Sequence, residues 1–347
     1  MTARTPLRVL LSVRGLETKH DPTRNPYIDL LVQSLPSDVE VVQFGWREAL
    51  VGRFDVFHSH WPEALVRSRS RRVRALEHVL FALFVCRLRL ARKGVVHTAH
   101  NDRPHEAAGR VEAALLRFYQ ASVTLVVDIN GVRPTRSSTP RVLIPHGDYA
   151  PWLASHPRAR AERGRLCTFG MIRPYKNVPG LLRAFHDLAD PSATLSVLGG
   201  VADPALRDEI EQLGARDDRV ELHLRFATDR ELVDQITRSE LVVLPYRHMK
   251  NTGAGIYALT LGRPLLVPRT DETLAMREEF GARWVHVFDG DLTAETLAGA
   301  VQHVRAATGG APDLSGRDWS RHGADYRRAY LASRPVRRSR PVTAPRA

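Results

Sequence analysis

The chain is poor in cysteine, with two in 347 residues, Cys86 and Cys167. Each lies in an apolar segment outside any C-x-x-C pair or Cys/His cluster, which argues against a disulfide framework or a zinc site and predicts two buried small hydrophobes. Long apolar runs are also missing. No stretch approaches the roughly 20 apolar residues of a helical membrane span. Residues 1–8 run straight into a strand-like segment with no room for a cleaved leader, so a cytoplasmic protein is expected. Acids are scarce relative to bases, 38 against 51, and the formal charge of +13 calls for an anionic partner. Nucleic acid, phospholipid headgroups and phosphorylated substrates all satisfy that charge. A nucleic-acid binder is disfavoured because no reading module and no platform of alternating aromatic and basic residues is present. A dinucleotide oxidoreductase is disfavoured because no G-x-G-x-x-G follows the first strand.

What remains is an ordinary globular composition, 43% hydrophobic and 26% charged, in a chain too long for one core. Short β-rich runs at 7–13, 39–44, 54–59, 94–98, 123–128 and 141–144 alternate with helical stretches, among them 26–35 and a long helix before residue 94. The breaker-rich, charged stretch 150–165 carries no periodic apolar pattern. Alternation restarts at 166–169 and continues through helix 178–188, strand 194–198, helix 204–213, strand 220–224, helix 229–239, strand 241–244, helix 255–261 and strand 264–267. The expected fold class is therefore α/β, with two Rossmann-like doubly wound domains facing a cleft. The expected domains are 1–150, a linker at 151–165, and 166–318. A helix at 319–334 is expected to pack back on the first domain, followed by a disordered Pro/Arg tail at 335–347. Such a cleft accommodates a donor on one side and an acceptor on the other.

Two loops carry most of the chemistry. Phe169-Gly170-Met171-Ile172-Arg173-Pro174-Tyr175-Lys176-Asn177 is a strand end, a glycine turn and a basic pair. Arg173 offers forked donors and Lys176 a compact charge, together suited to a departing diphosphate; the competing reading is a basic turn that caps the strand. In Tyr246-Arg247-His248-Met249-Lys250-Asn251-Thr252-Gly253-Ala254-Gly255, Asn251 or Thr252 caps a helix. The amides there, left open by Gly253 and Gly255, suit phosphate oxygens, unless they serve as a simple cap.

These residues resemble the GT-B glycosyltransferases that carry a glycosyl-transferase group 1 type C-terminal domain. The likeness lies in F-G-M-I-R-P-Y-K-N (169–177), L-S-V-L-G-G (195–200), E-L-V-V-L-P-Y (240–246) and A-L-T-L-G-R-P-L-L-V-P (258–268), and covers 166–270 well. In the first half it is looser, through D-V-F-H-S-H-W-P-E (55–63), H-T-A-H-N-D-R-P-H-E (97–106) and I-P-H-G-D-Y (144–149). The resemblance implies metal-independent transfer, without cofactor, from a GDP- or UDP-linked sugar to a saccharide, with the acceptor on the first domain and the donor on the second. Its P-Y-x-x-x-x-N-[ST]-G loop is similar to a subgroup associated with polysaccharide assembly, which implies a lipid-linked acceptor. Met171 replaces the arginine that many members have after the first glycine. No glutamate lies between Pro245 and Gly262, and Tyr257 occupies the position of one usual glutamate, which leaves retention or inversion open. A nucleotide-sugar epimerase or a phosphorylase is the rival enzyme class.

On the first domain, His100, Asn101, His105 and Glu106 follow a strand where the acceptor is expected. Glu106 and His105 are candidate bases, although Glu106 equally suits the first turn of the next helix. His60 and His146 also end strands near the cleft. None of these histidines shows the spacing of a zinc helix, so sugar and phosphate contacts are favoured over metal. Gly15 is either a close approach to substrate or an ordinary strand-to-helix connection. Residues 66–93 hold nine Arg or Lys and one acid around an apolar centre at 75–86. They read either as an interfacial helix that exposes Val79, Leu80, Leu83 and Phe84 to anionic headgroups, or as a buried helix with solvated ends.

Overall fold

A computed structural model of the chain describes residues 6–13, 26–68, 70–100, 109–130, 132, 138–250, 252–307 and 309–334. In the first half the Val- and Leu-rich runs form β1 (Leu7–Leu11), β2 (Val39–Gln43), β3 (Val56–Ser59), β4 (Gly94–Ala99), β5 (Leu125–Asp128) and β6 (Arg141–Leu143). Between them lie α1 (Pro26–Ser34), α2 (Trp46–Val51), α3 (Arg71–Leu90) and α4 (Arg110–Gln120). The strands are parallel, in the order β2-β1-β3-β4-β5-β6. After α5 (Ala150–Leu153) the second sheet is built from β7 (Arg165–Phe169), β8 (Thr194–Leu198), β9 (Val220–His223), β10 (Leu241–Val243), β11 (Leu265–Pro268) and β12 (Val285–Phe288). Its helices are α6 (Val178–His186), α7 (Pro204–Gly214), α8 (Asp229–Arg238), α9 (Gly253–Thr260), α10 (Asp271–Phe280) and α11 (Ala294–Ala306). Here the order is β12-β11-β10-β7-β8-β9, again parallel.

Parallel strands covered on both faces read as continuous apolar runs, and β3 and β7 are buried along their whole length. Strand order reverses between β1 and β3 in one sheet and between β7 and β10 in the other. Open α/β sheets form ligand crevices beyond the carboxyl ends at such reversals. The two loops singled out above follow β7 and β10, so both lie at the second reversal.

One apolar cluster runs from Val9, Val96 and Val127 of the first sheet through Ile144, Tyr149 and Leu153 to Cys167, Leu244 and Tyr257 of the second. A final helix, α12 (Trp319–Ser333), returns to pack on α1 and β4. Its Tyr326 hydroxyl meets that of Tyr27 at 2.5 Å, and its Tyr330 hydroxyl meets His58 Nδ1 at 2.9 Å. Close approach of α12 to α1 requires Gly323, where a Cβ would overlap the Ser34 carbonyl oxygen.

The structure departs from expectation on α3, at Cys86, Phe84 and Leu80. The 150–165 stretch is docked along the second sheet's unit: Trp152 Nε1 donates to Asp229 Oδ2 at 2.8 Å, and the Ala159 amide donates to Thr237 Oγ1 at 2.9 Å. Arg165 opens β7 as a buried guanidinium bonded to Glu221 and Gln235, each at 2.7 Å, because two acceptors replace its water. Cys167 is buried but Cys86 is exposed on the outer side of α3. On the same helix Phe84 is fully buried and Leu80 half-buried, whereas Val79 and Leu83 are exposed, as expected. The helix turns Phe81, Phe84, Val85 and Leu88 inward, at i, i+3, i+4 and i+7. The 335–347 tail lies outside the described residues.

Candidate active site

The loop after β7 turns at Gly170, whose φ of +90° suits glycine, and at Asn177, with φ of +51°. That turn brings Lys176 back over the strand end, where a Cβ on Gly170 would lie 3.1 Å from Lys176 Nζ. The ammonium sits 5.0 Å from the centre of the Tyr246 ring in the loop after β10. The two loops are tied together: the Arg247 amide donates to the Tyr175 carbonyl at 2.9 Å, and the Tyr175 and Tyr246 rings meet edge-on at 5.8 Å. Burial lowers the Lys176 pKa and the neighbouring Arg173 lowers it further, while Tyr175 opposes them. Arg173 Nη2 lies 3.7 Å from Met171 Sδ. Neither cation has a carboxylate partner among the described residues, so two positive charges are held ready for an anion.

Thr252 takes the N-cap position of α9, but its hydroxyl does not cap the helix; it donates to Asn130 Oδ1 of the first sheet's unit at 3.3 Å. Gly253 opens the first turn. Gly255 has a different reason from the one expected, since its bare side faces α10 and β11, where a Cβ would meet Met276 Cε at 2.8 Å. Beyond β8 and β9 a small pocket is lined by Leu198, His223, Arg225, Ala227, Glu231 and Gln235. Arg225, with Thr228 hydrogen bonds, holds the Glu231 carboxyl down at about 2. Sequence reasoning missed this pocket, although the T-x-x-E capping box at 228–231 marks the helix start that forms its wall.

The facing edge of the first sheet gathers imidazoles. His60 follows β3 and His100 follows β4, and their Nδ1 and Nε2 atoms share a hydrogen bond of 2.9 Å. Trp61 stacks on His100 at 4.5 Å, and Tyr27 stands edge-on to His60 at 5.7 Å and to His100 at 5.2 Å. His60 Nε2 is buried without a partner among the described residues. His146 Nδ1 donates to the Gly147 carbonyl at 2.8 Å, which leaves Nε2 to accept from the Tyr149 hydroxyl at 3.3 Å. Burial pushes all three pKa values down, His146 to about 4 and the other two well below the usual imidazole range, with neighbouring cationic groups adding to it. All are neutral at pH 7. Gly15, Asn101, His105, Glu106 and Asn251 lie outside the described residues.

No family model matches the chain. A GDP-mannose:glycolipid 4-beta-D-mannosyltransferase of Xanthomonas campestris pv. campestris is 39% identical to it over 314 residues, 90% of each protein. The chain belongs to that glycosyltransferase family. Among solved structures, sucrose-phosphate synthase from Thermosynechococcus elongatus superposes with a TM-score of 0.57 at 16% identity over 95% of both chains. WaaG, a glycosyltransferase involved in lipopolysaccharide biosynthesis, superposes with a TM-score of 0.51 at 13% identity over 94% of this chain and 97% of that one. The fold is GT-B.

In this glycosyltransferase, Gly170, Lys176 and Tyr246 come together at the carboxyl ends of β7 and β10 beside Arg173; Thr252 and Gly253 open α9 after the β10 loop; and His60, His100 and His146 cluster around Tyr27 at the carboxyl ends of the first sheet's strands. Among the described residues no group of acids, histidines and cysteines is arranged to hold a metal ion. Tyr257 is buried against Tyr149 at 4.9 Å and Phe169 at 5.6 Å, and its hydroxyl has no partner among the described residues. Asn130, which touches the donor-side loop, was not singled out from the sequence.

Proposed function

We propose that the chain transfers mannose from GDP-mannose to a lipid-linked saccharide on an anionic membrane surface. The observation that carries this reading is the tie between the loops after β7 and β10, which sets Lys176 5.0 Å from the Tyr246 ring at the second strand-order reversal, in a chain 39% identical to a GDP-mannose:glycolipid mannosyltransferase. The diphosphate lies against Lys176 and Arg173, and the nucleoside extends past Gly199 toward the pocket at Arg225.

The relative's name specifies a β-linked product. GDP-mannose is α-linked, so we assign inversion by a single displacement. The acceptor oxygen attacks C1, the bond from C1 to the β-phosphate oxygen breaks, and the acceptor proton passes to a base on the first sheet's edge. His100, oriented by His60, takes that role among the described residues; Glu106 and His105 remain candidates outside them. Cationic groups on the leaving diphosphate contribute most where charge develops.

Membrane association rests on α3. Leu76, Val79, Leu83 and Leu90 form one exposed stripe, 54–85% accessible, with Arg71, Arg72, Arg74, Arg89 and Arg92 exposed around it. No helix among the described residues is long and apolar enough to cross a bilayer. An apolar stripe bordered by arginines fits the headgroup region of an anionic surface. The donor assignment is tested by thermal unfolding with GDP, UDP, ADP and TDP. Selective stabilisation by GDP is expected, and stabilisation by another nucleotide alone would refute the assignment.

A further inference from the structure

We propose that Asn130, from the acceptor-side unit, reads the transferred sugar, its carboxamide hydrogen-bonding a ring hydroxyl of the donor hexose across the cleft. The inference builds on the reading that the donor diphosphate lies between Lys176 and the Thr252 end of α9.

Asn130 stands just beyond β5, and the strand end that leads to it is fixed. Arg141 Nε donates to Asp128 Oδ2 at 2.8 Å, the Ile144 amide donates to the Asp128 carbonyl, and the His146 amide donates to the Ile129 carbonyl, both at 3.0 Å. The strand end therefore holds Asn130 at a set height above the cleft. From there its Oδ1 accepts the Thr252 hydroxyl at 3.3 Å, longer than an ordinary O–H donor contact. Thr252 is 3% exposed and opens α9, so the contact is not a surface coincidence.

The hexose is joined to the terminal phosphate through one ester oxygen. A side chain within hydrogen-bond reach of Thr252 therefore lies beside the sugar once the terminal phosphate sits at the Thr252 end of α9. A carboxamide presents both a donor and an acceptor, as does a sugar hydroxyl, and the Asn130 amide nitrogen has no partner among the described residues. The long Thr252 contact is weak enough to be exchanged for a substrate hydroxyl. Sites built to hydrogen-bond a substrate hydroxyl discriminate strongly against analogues that misplace it.

The test compares Asn130→Ala, Thr252→Val and the parent enzyme in calorimetric affinity for GDP and for GDP-mannose, and in kcat/KM for GDP-mannose against GDP-glucose. Asn130→Ala should leave GDP affinity unchanged, lower kcat/KM for GDP-mannose by about 10- to 100-fold and narrow the preference over GDP-glucose. Thr252→Val removes the same cross-cleft bond but spares the carboxamide, so the mannose-to-glucose preference should persist whatever its overall rate. Equal weakening of GDP and GDP-mannose in Asn130→Ala would show a purely structural latch and overturn the proposal, as would an unchanged preference. Full GDP affinity in Lys176→Ala would instead overturn the diphosphate reading, and the proposal with it.

Discussion

Replacing Lys176 with alanine probes the site at its most charged point. The ammonium is held between Gly170 and the Tyr246 ring, largely stripped of water, with a lowered pKa and no carboxylate partner among the described residues. Its desolvation is thus already borne by the fold. With an effective dielectric of about 20, a unit charge about 4 Å from a phosphate oxygen interacts by about 4 kcal/mol, or roughly a thousandfold. Loss of a single preorganised donor to developing charge typically costs about 10²–10³ in rate. Lys176→Ala should therefore reduce kcat/KM by about 10²–10³. Lys176→Arg should recover only part of this, because a planar fork does not reproduce a point charge above Tyr246. Initial rates of transfer from GDP-mannose measure both. Thermal unfolding of the variant should be undiminished, since it loses a dehydrated, unpaired cation. A kcat/KM within about threefold of the parent enzyme would refute the reasoning.

Other outcomes follow from the fold. Gly323→Ala forces α12 away from the Ser34 carbonyl, and even with alanine's better helix propensity it should cost about 1–3 kcal/mol in denaturant unfolding. An unchanged midpoint would mean that α12 does not dock on α1. Acid should destabilise the protein through its buried imidazoles. His97 and His146 are pushed from 6.5 to about 4, and His58, His60 and His100 well down, so the unfolded chain binds more protons below pH 6.5. Their contribution is full above about pH 6.5 and lost as pH falls through about 4, up to about 3 kcal/mol each for His97 and His146. A melting temperature flat from pH 7 to pH 4.5 would contradict this. Leu76→Asp with Leu83→Asp should abolish sedimentation with anionic liposomes, and parent binding should weaken with salt; equal binding to neutral liposomes would remove the electrostatic part.

Much of the fold is legible because parallel strands leave short Val/Leu runs, and the two loops of the donor side are visible because each joins such a run to a glycine turn and a helix. Other features depend on pairings between distant segments. Asn130 is a lone polar residue after a strand, and only the apposition of two sheets places it on Thr252. α10 carries the charged sequence DETLAMREEF, and its inward Thr273, Met276 and Phe280 give too sparse a pattern to separate it from a loop. The centre of α3 is apolar on most sides, so periodicity could not choose between burying Phe84 and burying Leu83; packing against Phe44, Phe54 and Phe57 decides it. The docking of the 150–165 stretch was not legible from its charge and breakers, because its bonds go to α8 residues far along the chain.

A crystal structure of the enzyme soaked with GDP puts the account to its most direct trial. The diphosphate oxygens should lie within hydrogen-bond distance of Lys176 Nζ and of the Thr252 and Gly253 amides. A nucleotide bound away from both loops, or contacting only one of them, would contradict it.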